Sequence, residues 1–126
     1  MRKLEFASLQ VRDLEVSKAF YTEKLGFELS GMTNPHACVF KYNNGEASFA
    51  IRTPIANIDG KELGVGTSLW FAIDENIELL QSQLTGKGVF ILGTINHTPF
   101  GQTLMVKDPD GYIITFLAQT EATQNV

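Results

Sequence analysis

Residue types alternate with a period of two over Phe6-Ala7-Ser8-Leu9-Gln10-Val11, the pattern of a strand with two unlike faces. Asp13 then offers a helix N-cap, since its carboxylate can accept from an orphan backbone N–H. Val16, Ala19 and Phe20 fall at i, i+3 and i+4 and predict the apolar face of that helix. Leu25-Gly26-Phe27 closes it, with Gly26 as C-cap. Phe27-Glu28-Leu29 predicts a second strand. Ala37-Cys38-Val39-Phe40-Lys41-Tyr42 and Glu46-Ala47-Ser48-Phe49-Ala50-Ile51-Arg52 predict two more, joined by a hairpin at Asn43-Asn44-Gly45, because Asn and Gly tolerate a positive φ.

The same order recurs. Ser68-Leu69-Trp70-Phe71-Ala72-Ile73 predicts a strand, and Asp74 or Asn76 can cap a helix with the stripe Ile77, Leu80 and Leu84. Gly86-Lys87-Gly88 ends that helix. Val89-Phe90-Ile91-Leu92, Thr103-Leu104-Met105-Val106 and Tyr112-Ile113-Ile114-Thr115-Phe116-Leu117 predict three strands, the last two joined by the tight turn Asp108-Pro109-Asp110-Gly111. Phe6 maps onto Ser68 and Gly26 onto Gly88, both 62 residues on, so the halves read as a duplicated β-α-β-β-β module. Module one spans about 4–53 and module two about 67–119. They are joined by a connector over 54–66 that carries Pro54, Gly60, Gly64 and Gly66. The tail from Gln119 to Val126 is polar and is expected to fray.

Composition narrows the function classes. With 126 residues and 44% hydrophobic positions the chain reads as a single domain with a substantial core. No apolar run reaches the roughly 18–20 residues of a membrane span, and the mixed segment Leu4-Glu5-Phe6 after Met1-Arg2-Lys3 is not a signal-peptide core. A net charge of −4 and the lack of a basic cluster argue against a nucleic-acid partner. The lone Cys38 excludes an intramolecular disulfide and a Cys-rich zinc site, and a cytoplasmic location is expected. Neither a Gly-x-Ser-x-Gly elbow nor a Gly-rich phosphate loop is present. The pairs Asp108/Asp110 and Asp74/Glu75 are explained by a turn and a helix start.

The paired modules, with Val11-Arg12-Asp13-Leu14, Ala19-Phe20-Tyr21, Leu25-Gly26-Phe27, and Phe100-Gly101 leading to Asp108-Pro109-Asp110-Gly111-Tyr112, resemble the vicinal oxygen chelate superfamily. That group includes glyoxalase I, extradiol dioxygenases, and the bleomycin and fosfomycin resistance proteins. The resemblance covers about residues 4–119. It implies an α+β fold of two βαβββ modules, with curved sheets, outer helices and concave inner faces, and it implies a homodimer. It further implies that metal-dependent members hold a divalent ion with His or Glu from the first and last strands of each module.

Matched residue by residue, those four ligand positions fall on Phe6, Ala50, Ser68 and Thr115. A ring, a methyl and two neutral hydroxyls are poor ligands for zinc, nickel, iron or manganese, so neither a metal nor another cofactor is expected. A one-residue shift supplies only Glu5, which alternation points to the opposite face. His36 and His97 fall in expected loops and make no ligand pair, and Cys38 reads as a buried small hydrophobe. If Phe6, Ala50, Ser68 and Thr115 face inward, so do Ser8, Gln10, Ser48, Arg52, Trp70, Ala72, Ile113 and Leu117. Leu9, Val11, Phe49, Ile51, Leu69, Phe71, Ile73, Ile114 and Phe116 then face the helices.

The inner set mixes aromatic, small and polar groups, as a small-molecule pocket does. Candidate ligand-binding residues are Phe6, Gln10, Ser48, Arg52, Ser68, Trp70, Phe100 and Thr115. Trp70 offers a flat face and one N–H, Phe100 an aromatic rim before Gly101, and Arg52, read as an edge-of-sheet residue, a cation. The leading expectation is a metal-free protein that sequesters an aromatic or amphipathic small molecule, as in the bleomycin-resistance branch. Two alternatives stand beside it. One is a glyoxalase-like lyase, isomerase or dioxygenase. The other is a non-catalytic dimeric structural or regulatory domain whose barrel is filled by Phe6 and Trp70.

Overall fold

The structure, a computed structural model, describes residues 1–31, 34–41 and 47–119, with the side chains of Ala47 and Ser48 excepted. The expected hairpin at Asn43-Asn44-Gly45, the side chain of Ser48 and the tail beyond Gln119 lie outside the described residues. The chain divides into two compact units, Met1–Lys61 and Glu62–Val126.

The first unit runs β1 (Ala7–Gln10), α1 (Leu14–Ala19), a π-helical turn (Phe20–Lys24), β2 (Glu28–Leu29), β3 (Ala37–Lys41) and β4 (Ala47–Arg52). Its sheet has the order β1-β4-β3-β2, with β1 parallel to β4 and the other pairs antiparallel. The second unit runs β5 (Leu69–Ile73), α2 (Ile77–Gly86), β6 (Phe90–Thr98), β7 (Gly101–Lys107) and β8 (Ile113–Ala118), and its sheet repeats the plan as β5-β8-β7-β6. Each unit is thus a β-α-β-β-β module with a mixed four-stranded sheet, the α+β fold expected. Gly26 at φ 80° and Gly88 at φ 77° stand just past the two helices, where a left-handed residue ends the helical turn and leads into the next strand.

Local chemistry explains the helices. Asp13 accepts from the Val16 N–H at 3.1 Å and caps α1; of the two candidates for α2, Asn76 is the cap, accepting from the Leu79 N–H at 2.9 Å. Ile77, Leu80 and Leu84 are buried as their spacing requires. The face of the first helix differs from expectation. Val16 is 51% exposed, and the buried stripe is Ser17, Phe20 and Tyr21, followed by Leu25. Ser17 is small enough to sit against the sheet, which turns Val16 outward. The Leu25 N–H donates to the Phe20 carbonyl at 3.1 Å, widening the last turn into a π-turn.

The core of the first unit is aromatic. Tyr21, Phe27, Phe40 and Phe49 pack with ring centroids 5.0–6.4 Å apart, in mostly tilted or edge-on pairs worth roughly 0.5–1.5 kcal/mol each beyond their burial. Leu9, Val11, Phe49, Ile51, Phe71, Ile73, Ile114 and Phe116 are buried, as the alternation requires, while Leu69 is only half-buried. Phe6 precedes β1 and is half-buried.

The largest departure is β6. The expected four-residue strand is nine residues long, Phe90–Thr98, with an irregularity in its pairing to β7 between Leu92 and Asn96. His97, expected in a loop, lies in this strand opposite Gln102. As the outer strand of the sheet, β6 faces solvent along one edge and tolerates polar residues that a central strand excludes.

Candidate functional site

In the second unit, alternation along β5 buries Phe71 and Ile73 on one face and leaves Trp70 and Ala72 exposed on the other. Register carries both faces across the sheet. Phe71, Phe116 and Leu104 form a buried row, with the Phe71 and Phe116 centroids 6.4 Å apart. On the opposite face Trp70 stands beside Thr115, Thr115 beside Met105, and Met105 beside Leu92. The next row is Ala72, Leu117 and Thr103.

Trp70 is 48% exposed and Phe100 62%, yet they touch each other, with centroids 6.2 Å apart and planes at 83°. Phe100 is held by the turn Thr98-Pro99-Phe100-Gly101. The Thr98 hydroxyl accepts from the Phe100 N–H at 3.2 Å and donates to the Gly101 carbonyl at 2.8 Å. Gly101 has φ +135°, and a Cβ there would lie 2.5 Å from the Ala118 carbonyl oxygen, so only glycine closes this turn against β8.

The indole N–H of Trp70 donates to the Ser68 hydroxyl at 2.7 Å. That N–H was expected to face a ligand; the structure gives it to Ser68, leaving the ring face as the contact Trp70 presents. Ser68, acting as acceptor, retains its own proton for donation. Thr115 is 1% exposed, and its hydroxyl is buried without a hydrogen-bond partner. At one end of this face, Lys107 Nζ lies 5.9 Å from the centroid of the exposed Phe90 ring, a weak cation–π contact.

Ser68, Trp70, Phe100 and Thr115 are therefore brought together by one sheet. Gln10 and Arg52 are register partners in the first unit, where Gln10 braces the start of the connector and Arg52 bonds the residue just before it. Gln10 Oε1 accepts from the Ile55 N–H at 2.7 Å and the Ala56 N–H at 3.4 Å, and Arg52 Nε donates to the Thr53 carbonyl at 3.1 Å. Arg52 ends a strand flanked by β1 and β3, so the expectation of a sheet-edge residue is corrected. Sequence patterning does not single out Met105 or the Thr98 hydroxyl; Pro99 and Gly101 signal the turn, but the double role of Thr98 depends on its geometry.

The four positions that resemblance assigns to a metal present the Phe6 ring, the buried Ala50 methyl, a Ser68 hydroxyl engaged by indole and the buried Thr115 hydroxyl. That donor set does not fit a divalent ion. Among the described residues no three His, Cys, Asp or Glu side chains gather as a metal site would need. Asp108 is committed to its turn, with Oδ1 accepting from the Asp110 N–H at 2.9 Å and the Tyr112 N–H at 2.8 Å. Cys38 is 2% exposed, and burial pushes its thiol pKa up, outweighing the opposing pull of Lys18. Its thiol therefore stays protonated and a poor nucleophile at neutral pH.

Residues 3–116 match the family model of the Glyoxalase/Bleomycin resistance protein/Dioxygenase superfamily. The chain belongs to that superfamily. Several solved structures share its fold. TnmS3, an antibiotic binding protein from Streptomyces sp. CB03234, is 22% identical with a TM-score of 0.74, over 95% of this chain and 98% of its own. A glyoxalase-related enzyme from Fulvimarina pelagi is 23% identical with a TM-score of 0.70, over 94% of this chain and 89% of its own. A superfamily member from Sphaerobacter thermophilus DSM 20745 is 21% identical with a TM-score of 0.73, over 94% of this chain and 98% of its own. No curated protein sequence matches. An antibiotic binding protein and a glyoxalase-related enzyme thus share the fold, and the side chains on the sheet must carry the functional argument. Among the described residues no helix is long and apolar enough to cross a membrane.

Proposed function

We propose that this superfamily member is a small-molecule-binding protein that holds a flat aromatic or amphipathic compound against Trp70 and Phe100 and releases it unchanged. The observation that carries this reading is the exposed aromatic pair itself. Two large rings stand at right angles on a sheet face, 48% and 62% exposed, with the indole fixed by Ser68. Leaving that much aromatic surface in water is unfavourable by the area rule. A planar ligand laid on the indole with its edge toward Phe100 would recover the loss. Ser68 adds a directional hydroxyl. Neither Ser68 nor Thr115 ionises near neutral pH, so this face suits binding better than proton transfer. The antibiotic-binding role carried in the name of TnmS3 agrees with the reading.

The proposal includes sequestration as the mode of action, a cytoplasmic location and a pair of identical chains as the working unit. A ligand with a neutral or mildly anionic aromatic body fits better than a polycation, because the charge on this face comes from Lys107. Trp70 is the sole tryptophan, so intrinsic fluorescence reports directly on the site. Titration with planar aromatic compounds is expected to quench or shift the emission saturably, with the compound recovered unaltered. Unchanged emission across a broad panel, or chemical turnover of a compound, would refute the reading.

A further inference from the structure

The Thr115 hydroxyl is the one buried side-chain polar atom, among the described residues, without a hydrogen-bond partner. It sits in the central strand pairing of its sheet, directly opposite Trp70 on β5 and Met105 on β7, on the face that carries the exposed aromatic pair. A buried hydroxyl with no acceptor for its proton is destabilising, and such groups are rare in folded proteins. Valine would fill the same volume without that penalty, and β8 already uses β-branched apolar residues at Ile113 and Ile114.

We infer that Thr115 is the specificity-determining group of the Trp70 site, and that the ligand class is a planar aromatic with a hydrogen-bond acceptor oxygen, such as a ketone, at its ring edge. The inference rests on the binding reading above and makes it narrower. A ring stacked on the indole covers the strand position beside it, which is Thr115. The hydroxyl then donates to the acceptor oxygen, satisfying a group left unsatisfied in the free protein. Met105, half-buried and next to Thr115 in register, is the side chain that gives way; its unbranched thioether re-packs readily. Ser68 lies two residues from Trp70 along the chain and already accepts the indole proton. It fixes the ring while Thr115 reads the substituent.

The test uses the full chain, a matched pair of probes and two variants. The probes are 2-acetylnaphthalene and 2-isopropylnaphthalene, which differ in the carbonyl oxygen. The readout is the indole N–H resonance of Trp70, titrated by NMR. Wild type is expected to bind the ketone about five- to tenfold more tightly than the hydrocarbon. Thr115→Val is expected to erase that ratio by weakening the ketone alone, and Thr115→Ser to keep it. Without ligand, Thr115→Val is expected to raise the thermal midpoint by roughly 2–8 °C, because it removes the unsatisfied group. Equal binding of both probes by wild type, or a ratio unchanged in Thr115→Val, overturns the inference and leaves the aromatic site standing. A lowered midpoint in Thr115→Val also overturns it, since the hydroxyl would then be satisfied without ligand. If neither probe moves the indole resonance, the binding reading itself fails and this inference with it.

Discussion

The Trp70 indole N–H and the Ser68 hydroxyl form a 2.7 Å hydrogen bond between residues two apart in the chain. A tryptophan that merely filled space would not need this tether; here it fixes the orientation of a ring that remains half in water. Ser68→Ala is therefore expected to free the ring more than it weakens the fold. Stability should fall by no more than about 1 kcal/mol, since the bond is exposed. The indole resonance should move, and the indole proton should exchange faster with solvent. Unchanged exchange in the variant would show that the tether does not persist in solution.

The turn beneath Phe100 depends on Gly101. A methyl there meets the Ala118 carbonyl oxygen at 2.5 Å, in a backbone conformation that L side chains rarely adopt. Gly101→Ala is expected to cost roughly 3 kcal/mol, read by chemical denaturation, and to loosen the Phe100 contact with Trp70. A loss below about 1 kcal/mol would mean that the turn relaxes without strain.

Much of this architecture was legible in the chain. Ile77, Leu80 and Leu84 repeat at helical spacing and are buried; Trp70 and Phe71 are neighbouring aromatics, and strand alternation alone sends them to opposite faces. The family's landmarks at Asp13 and Gly26 do the local work their chemistry suggests, as a cap and a helix stop. What was not legible is equally specific. Val16 carries the right hydrophobicity for a core position, but Ser17 takes the place against the sheet. Gly93, Asn96 and His97 read as loop because polarity in an outer strand resembles polarity in a loop. The Ser68–Trp70 bond and the stranded Thr115 hydroxyl depend on rotamers and packing, which no spacing rule supplies.

The two caps offer a check on the paired-module plan. Asp13 and Asn76 each satisfy one backbone N–H at a helix start. Asp13→Ala and Asn76→Ala are each expected to lower stability by about 1 kcal/mol. The double variant should lose about the sum, since the caps serve different helices in different units. Denaturant melts at pH 7 measure all three.

Cys38 makes stability pH-dependent on the alkaline side. Its thiol pKa is raised in the fold, chiefly by burial. The unfolded chain therefore loses its thiol proton at lower pH than the folded protein. The contribution is fully present below the unfolded thiol's pKa and declines as pH rises through the folded value. Cys38→Ala should show a smaller alkaline loss of stability than wild type, and the native thiol should react slowly with a disulfide reagent until the protein is denatured. Rapid reaction in the native state would contradict the buried placement.

The side chains at Phe6, Ala50, Ser68 and Thr115 predict that purified protein carries no stoichiometric zinc, nickel, iron or manganese after dialysis, as measured by elemental analysis. Binding of aromatic compounds should be insensitive to a chelator.

The most direct measurement of the central claim is the calorimetric affinity of wild type and Trp70→Ala for a planar aromatic ketone, with a thermal melt confirming that both are folded. Stacking on the indole predicts saturable binding by wild type and a loss of about tenfold or more in the variant. Equal affinity in the two folded proteins would contradict the account.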